Sequence, residues 1–475
     1  MTLRLWRLTT YSLRPDEIFS LETARLGWHD LLVRAARDVV HPPLFYALLK
    51  AWVGLGGESE LWLRLLSVLF AVAAIVPFAL LCRELGLGAG EMNLALLLMA
   101  VNGYLIYYAQ ELRMYSLLVF LTIASLWLLA RFLRAPRVDQ ASLVALVTVN
   151  VLLVYADYHG WLVLGVELGF VLGWARHRLA LFALSIVAAV VCFSPWGYVI
   201  MRVVARRGLG PNIGSFPRPR LVDDVLGYYA TLSGPLRPAW KTTLGLLLFG
   251  VPLLGWAWRV LRGTRADDRR DAPTFWLLTL IAFVPVLFVY VASQVLPQSV
   301  WGLRLLIFTA PAVMALVAAA AYRLEPVWVR AAVVPLLVAW ASLAGYQELN
   351  SSGKQAWESL VDRMSRVETW GTAGIPVYSF DSSDETIAFY LKERRDGRFR
   401  TKRLKRTTEM DGDHFWVALR EPGRQAIHQW LVDRGYEFGE SLTDGFGAVL
   451  SPVWRQRPSA LLKGDPWSPE IPAAA

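Results

Sequence analysis

The stretch LWLRLLSVLFAVAAIVPFALLC, residues 61–82, contains a single charged side chain, Arg64. A helix needs about 20 predominantly apolar residues to cross the hydrocarbon core of a bilayer. Nine further apolar stretches follow, at about 91–108, 114–133, 138–156, 160–175, 179–200, 241–261, 274–296, 303–322 and 327–346. The sequence therefore predicts an all-α polytopic membrane bundle of about ten transmembrane helices over residues 61–346.

The composition supports the same conclusion. Of the 475 residues, 56% are hydrophobic and 18% are charged, whereas roughly a quarter of the residues in a soluble domain are charged. The net charge is +10, but much of the arginine lies in short loops between apolar stretches. We therefore expect membrane lipid, and no nucleic acid, as a partner. Cys82 and Cys192 fall in or near spans, so we predict no disulfide and no cysteine–histidine metal site. We also expect no cofactor.

The distribution of arginine predicts the orientation in the membrane, because positive residues collect on the cytoplasmic side. The arginines of one set of alternate loops are Arg83, Arg131, Arg134, Arg137, Arg176, Arg178, Arg259, Arg262, Arg265, Arg269, Arg270, Arg323 and Arg330. We assign that set to the cytoplasm of a bacterial cell, and the protein to its inner membrane. Residues 1–60 and the C-terminal region then face outward. An outward N-terminal segment normally follows a membrane helix, so we expect such a helix upstream of residue 1.

Two segments lie outside the predicted bundle. Residues 1–60 carry too many charges to span, and we interpret them as an outward-facing first loop with interfacial helices. Residues 350–463 have a soluble composition and predict a small extracytoplasmic α/β domain. Its predicted helices are 354–367, 383–393 and 424–434, and its predicted strands are 376–380, 415–419 and 446–450. Residues 464–475 are rich in proline and are predicted to be disordered.

Polar motifs recur in the segments that we place on the outer face. The first loop contains Asp16-Glu17 and then His41-Pro42-Pro43. The link between the second and third spans reads YYAQELRMY at 107–115, and the link between the fourth and fifth reads YADYHG at 155–160. Acids, amides, tyrosines and bases are thus predicted to converge at one end of the bundle.

These four motifs, in this order, resemble those of bacterial members of glycosyltransferase family 39 in the GT-C superfamily. That family includes the protein O-mannosyltransferases and the lipid A aminoarabinose transferase. The resemblance covers about residues 1–350, and 303–321 fits a later family helix that begins near an arginine, here Arg304. It implies a polyprenyl-phosphate sugar as donor, transfer with inversion and without a metal, and an essential first-loop acid at Asp16. We expect the acceptor to be a hydroxyl group on a protein, a lipid or an envelope polysaccharide.

The chemistry of glycosyl transfer suggests roles for the remaining residues. A carboxylate takes the proton of the attacking hydroxyl, and cations stabilise the departing phosphate. We predict Asp16 as the base, with Glu17 and Glu111 as further catalytic acids. The predicted ligands of the donor phosphate are Arg113, His41 and Arg304. The predicted substrate-binding residues are Tyr107, Tyr108, Gln110, Tyr115, Asp157 and His159.

Each motif also has a simpler interpretation. Arg113 at an interface can extend to lipid headgroups, the tyrosines can form an interfacial belt, and Asp157 with His159 can end a tight hairpin. For the whole chain, the main alternative is a transporter or flippase of a lipid-linked or small substrate, with Asn102, Asn150 and Glu167 as polar residues inside spans. A non-catalytic protein that binds lipid-linked sugar is a third possibility.

Overall fold

The computed structural model describes residues 1–136, 139–208, 217–233, 239–262, 266–350, 355–368, 374–381, 383–404, 409–410, 412–420, 424–444 and 448–455. These residues form two compact units. The helical unit comprises residues 1–8 and 19–350, and the mixed unit comprises residues 9–18 with the described residues from 355 onward. Arg137, Arg265 and the predicted tail 464–475 lie outside the described residues.

Among the described residues, seventeen α-helices precede residue 350. They are α1 (Thr2–Leu5), α2 (Pro15–Arg25), α3 (Trp28–Asp38), α4 (Leu44–Gly56), α5 (Glu60–Ala73), α6 (Ile75–Glu84), α7 (Ala89–Val101), α8 (Gly103–Ala109), α9 (Tyr115–Arg134), α10 (Gln140–Ala156), α11 (Gly160–Trp174), α12 (Leu179–Arg207), α13 (Gly227–Ser233), α14 (Ala239–Arg262), α15 (Ala266–Val295), α16 (Ala310–Tyr322) and α17 (Val327–Leu349). A 3-10 helix, Leu303–Thr309, leads into α16.

Each of the ten predicted spans coincides with a helical segment of the structure. The chain is a multi-pass membrane protein. Among the described residues, seven helices are long and apolar enough to cross a bilayer, or eight if the bent pair α7–α8 is one span. Helices α10 and α11 are apolar but shorter, so the count of ten remains a prediction. Leu44–Gly56, in the predicted outward-facing first loop, is also a short apolar helix.

Polar side chains inside the bundle hold helices together. The Asn102 side chain accepts a 3.0 Å hydrogen bond from the Leu105 amide and donates a 2.9 Å bond to the Leu232 carbonyl. It thereby caps α8 where α7 and α8 meet at a 55° bend. Ser125 Oγ lies 2.6 Å from Asn150 Oδ1 and 2.7 Å from Glu167 Oε1, which joins α9, α10 and α11.

The mixed unit is built around a six-stranded sheet. The strands are β1 (Ile375–Ser379), β2 (Phe399–Arg403), β3 (His414–Arg420), β4 (Tyr436–Phe438), β5 (Leu442–Thr443) and β6 (Ala448–Arg455), in the order β2-β1-β3-β6-β4 with β5 beside β6. The strand β1 is parallel to β2 and β3, whereas β6 is antiparallel to β3, β4 and β5. The helices are α18 (Trp357–Val367), α19 (Ser383–Glu393) and α20 (Arg424–Val432).

The predicted α/β domain is therefore present, with three strands (β2, β4 and β5) that the sequence did not indicate. Its core contains Phe415 and Val417 of β3, Val453 of β6 and Leu431 of α20. Alternate residues of β3 point to this core, as the period of a strand requires. β2 carries three basic residues in five positions, which hides the apolar alternation that predicts a strand.

The mixed unit also includes a segment from the beginning of the chain. The Leu13 amide donates a 2.8 Å hydrogen bond to the Tyr390 hydroxyl, and Ser12 Oγ accepts one of 2.6 Å from the Glu358 amide. Ser12 and Leu13 are buried. These contacts bring the first two predicted acids, Asp16 and Glu17, into the same unit as α19.

Candidate active site

A buried carboxylate lies between two histidines in the helical unit. Asp157, between α10 and α11, is 1% exposed. Its Oδ1 accepts hydrogen bonds from the His159 amide at 2.9 Å and from His159 Nδ1 at 2.8 Å. His41 Nδ1 lies 3.3 Å from the other oxygen, Oδ2. Two motifs that are far apart in the sequence therefore meet here.

The α10–α11 link owes its shape to a glycine. The Gly160 amide donates to the Asp157 carbonyl at 2.9 Å, which closes a tight turn. A Cβ atom at position 160 would lie 2.7 Å from the Leu153 carbonyl oxygen. Only glycine fits this close approach, and the turn directs Asp157 and His159 towards His41. The backbone of this motif therefore forms a tight hairpin turn, as the simpler interpretation expects. The side chains of Asp157 and His159 in addition form a polar cluster with His41.

Burial and neighbouring charge set the protonation of this cluster. Burial lowers the pKa of His41, and the nearby Arg113 guanidinium lowers it further, against the opposing effect of Asp157. Burial alone would raise the pKa of the Asp157 carboxyl, but hydrogen bonds and charge from His159 and His41 hold it well below its usual range. Asp157 is therefore an anion at neutral pH, and His41 is a neutral imidazole.

The lowered pKa of His41 predicts an acid-sensitive fold. Neutral His41 makes its full contribution to the free energy of unfolding above the ordinary histidine pKa, about 6.5. As the pH falls from there towards the pKa of His41 in the folded protein, this contribution is lost by up to about 1.4 kcal/mol per pH unit. We expect the melting temperature of the purified protein to fall between about pH 7.5 and about pH 5.5, and to fall less for His41→Gln. His29→Gln, at an exposed position of α3, should follow the wild type. Equal slopes for wild type and His41→Gln would contradict this expectation.

The α8–α9 link carries three further predicted residues, Gln110, Glu111 and Arg113, all of which are buried. Arg113 Nη1 donates to Ser20 Oγ at 3.2 Å, and the Arg113 carbonyl accepts from Ser67 Oγ at 3.3 Å. Arg113 is 5% exposed, so it does not extend to lipid headgroups. Its position places a cation next to His41.

Gln110 has a structural contact that the sequence did not indicate. Its Nε2 donates to the Trp6 carbonyl at 2.8 Å and to the Arg4 carbonyl at 3.4 Å. Arg64 donates to the Leu8 carbonyl at 2.8 Å. Gln110 and Arg64 thus hold residues 1–8 against the rest of the helical unit. A role of Gln110 in substrate binding remains a prediction.

The tyrosines form a connected group inside the helical unit. The ring of Tyr108 lies 5.1 Å from Tyr107, 5.0 Å from Tyr115 and 4.9 Å from Tyr104, measured between centroids in edge-to-face geometry. Tyr115 is fully buried, and Tyr107 and Tyr108 are half-buried. This is a packed cluster rather than a lipid-facing belt.

The tyrosine cluster continues to the segment that carries Arg304. The Tyr104 hydroxyl donates to the Leu303 carbonyl at 2.6 Å, and the Tyr228 hydroxyl donates to the Leu306 carbonyl at 2.8 Å. Arg304 is half-buried, and its charge acts on Tyr108. Sequence reasoning missed Tyr104 and Tyr228. The only sequence pattern that could have indicated either residue is the tyrosine-rich run, which Tyr104 begins.

The two acids of the first motif are placed differently from each other. Glu17 is buried, and its Oε2 accepts a 2.9 Å hydrogen bond from the Arg14 amide, which caps the start of α2. Asp16 is half-exposed. Burial raises the pKa of Glu385 in α19, and the charges of Asp384 and Asp16 add to the increase. Asp16 is therefore the more accessible of the pair, and Asp384 and Glu385 were not predicted.

The predicted site residues are thus divided between the two units. Asp16 and Glu17 lie in the mixed unit, and the other ten lie in the helical unit. Within the helical unit the structure brings together His41, Asp157, His159 and Arg113, and separately Arg304 with the tyrosines. In the part of the chain that the structure describes, no three histidine, cysteine, aspartate or glutamate side chains are arranged to hold a metal ion.

Comparison with known proteins gives matches among solved structures only. No family model and no curated protein matches the chain. The crystal structure of ArnT from Cupriavidus metallidurans bound to undecaprenyl phosphate superposes with a TM-score of 0.57 at 15% identity, covering 95% of this chain and 96% of ArnT. The apo form of the same protein gives a TM-score of 0.54, also at 15% identity and with the same coverage.

The chain therefore has the same fold as ArnT. The predicted fold class, a helical membrane bundle followed by a small C-terminal α/β domain, is confirmed. Because the likeness extends over nearly the whole of both chains, it includes both units of the present protein. At this level of identity it defines the fold, and the function must be argued from the residues of this chain.

Proposed function

We propose that this protein is a membrane glycosyltransferase of the GT-C type that takes a sugar from a polyprenyl-phosphate carrier and transfers it to a hydroxyl acceptor. The observation that carries the proposal is the group of buried polar residues in the links between helices, where His41 Nδ1 lies 3.3 Å from Asp157 Oδ2 and the charge of Arg113 acts on His41. Ionisable groups are expensive inside a membrane protein and mark functional sites there. That a protein with the same fold was crystallised with undecaprenyl phosphate is consistent with this carrier.

The proposed reaction needs one group that accepts a proton and cations that stabilise the leaving phosphate. Asp16 takes the proton of the acceptor hydroxyl, whose oxygen then bonds to the anomeric carbon. The bond from that carbon to the phosphate oxygen breaks, and the polyprenyl phosphate leaves with the electron pair. Arg113 and Arg304 stabilise the developing negative charge. A single displacement inverts the anomeric centre, and the reaction faces the outside of the inner membrane in the orientation proposed from the arginines.

The structure gives less support to the transporter or flippase. Transporters commonly place substrate-binding polar residues near the middle of broken helices. Here Asn102 caps α8 and contacts Leu232, while Asn150 and Glu167 both contact Ser125 in a buried group. These side chains are engaged in helix–helix contacts rather than aligned along a path.

Binding of the carrier tests the proposed function. We expect polyprenyl phosphate to raise the melting temperature of the purified protein in detergent, and polyprenol, which lacks the phosphate, to have a much smaller effect. At a ligand concentration about 100 times the Kd, the stabilisation is about 2.7 kcal/mol. Arg304→Gln should reduce the shift, whereas Arg262→Gln, at an exposed position of α14, should not. Equal shifts with polyprenol and polyprenyl phosphate would count against a phosphate site.

A further inference from the structure

The His41–Asp157–His159 group defines where its protons lie. An ionised carboxylate only accepts hydrogen bonds. Asp157 Oδ1 faces His159 Nδ1 at 2.8 Å, and Oδ2 faces His41 Nδ1 at 3.3 Å. His159 Nδ1 must therefore carry the hydrogen of its bond to Oδ1. His41 Nδ1 and Asp157 Oδ2 do not meet in hydrogen-bond geometry, but a hydrogen on His41 Nδ1 is favoured because a lone pair there would face the carboxylate oxygen. In a neutral imidazole the other nitrogen, Nε2, then holds a lone pair.

The surroundings of His41 keep this ring neutral. The charged groups that act on it are Arg113 from the α8–α9 link, Asp157 from the α10–α11 link and Asp38 from the end of α3. Asp157 and Asp38 favour the imidazolium, while Arg113 and burial oppose it. His41 is 3% exposed, so loss of water is the largest of these effects. Arg113 therefore provides the positive charge in this group, and the neutral His41 ring provides a hydrogen-bond acceptor.

We propose that Asp157 is a positioning residue that fixes the Nδ1–H tautomer of His41 and His159, so that His41 Nε2 accepts a hydrogen bond from a hydroxyl group of the lipid-linked sugar. The identification of this hydroxyl group as part of the donor sugar rests on the proposed function. If Arg113 holds the donor phosphate, the sugar bonded to that phosphate is the hydroxyl-bearing group next to His41. This replaces the predicted role of His41 as a phosphate ligand, because a neutral ring with a lone pair repels phosphate oxygens.

The tautomers can be measured without any assay of activity. The chain contains six histidines, so nitrogen NMR of protein labelled with ¹⁵N-histidine is tractable, with assignment by His41→Gln and His159→Gln. In wild type at neutral pH we expect both rings to be neutral and protonated at Nδ1. An Nε2–H ring or an imidazolium at His41 would overturn the proposal.

Asp157→Asn changes the charge and the hydrogen-bonding pattern of the group. We expect the His41 signal to change to the Nε2–H form or to a mixture of tautomers, because an amide has no negative charge to hold the Nδ1 proton. Asp139→Asn is the matched control, since Asp139 caps the other end of α10 through the Ala141 and Ser142 amides and asparagine caps equally well. An unchanged His41 signal in Asp157→Asn would show that Asp157 does not set the tautomer.

Kinetics test the role of the acceptor nitrogen. We expect Asp157→Asn to raise the KM for the lipid-linked sugar or lower kcat by about 10-fold or more, to shift the pH profile, and to leave the KM for the hydroxyl acceptor nearly unchanged. His41→Gln, which retains an acceptor oxygen, should lose less than His41→Leu. Unchanged donor kinetics in Asp157→Asn would overturn the sugar contact. If wild type transfers no sugar, the proposed function fails, while the NMR result still decides whether Asp157 positions His41.

Discussion

Asp16→Asn is expected to reduce sugar transfer by about 10²- to 10⁴-fold, which is the usual contribution of a general base. The substitution keeps the size of the side chain and removes the carboxylate that we propose as the acceptor of the hydroxyl proton. Asp16 is half-buried in the first turn of α2, so the melting temperature of each variant is measured beside its activity. The measurement is transfer from a radiolabelled donor by membranes that contain equal amounts of each variant.

Two further substitutions give this result its meaning. Asp30→Asn is a matched control, because Asp30 is also an acid in the first turn of a helix, α3, and is exposed; its activity should equal that of wild type. Glu17→Gln should affect stability more than turnover, by about 1 kcal/mol, since Glu17 caps α2. Transfer by Asp16→Asn at the wild-type rate would remove Asp16 from the mechanism.

Gly345→Ala is expected to destabilise the helical unit. A Cβ atom at position 345 in α17 would lie 2.1 Å from the carbonyl oxygen of Val101, at the end of α7. Because the obstacle is backbone, the two helices must separate, and overpacking of this kind costs about 1–3 kcal/mol. We expect a lower melting temperature and less monodisperse protein in size-exclusion chromatography after heating.

The control for this substitution is Gly169→Ala in α11, where a Cβ atom would have no neighbouring atom within 4 Å. There we expect an unchanged or higher melting temperature, because alanine favours helix by up to about 1 kcal/mol relative to glycine. If Gly345→Ala and Gly169→Ala have the same melting temperature, α7 and α17 do not approach each other as closely as described.

The helices were predictable because each apolar stretch carries its own signal. The bend between α7 and α8 was not, because 91–108 reads as one largely apolar stretch and the break depends on Asn102 capping α8 and contacting Leu232. A single polar residue inside an apolar run does not reveal which distant carbonyl it will contact. Contacts of this kind require the tertiary structure.

The sequence indicates candidate site residues, but it does not indicate which side chains they contact. His41 and Asp157 were each chosen from a local motif, and nothing in either motif indicates that the two side chains meet. The same holds for Tyr228, which is needed to hold the Leu303–Thr309 segment, and for Glu385, which shares a unit with Asp16. Long-range packing decides these relations, and one sequence carries little information about it.

Transfer of a labelled sugar from a panel of polyprenyl-phosphate donors tests the central claim most directly. Membranes containing the wild-type protein are incubated with each donor, and with the corresponding nucleotide sugars after lipid-linked intermediates have been removed. We predict that one class of polyprenyl-phosphate sugar passes its label to a hydroxyl acceptor and releases polyprenyl phosphate, and that nucleotide sugars do not react directly. Direct use of a nucleotide sugar, or movement of the intact lipid-linked sugar across the membrane without transfer, would contradict the account.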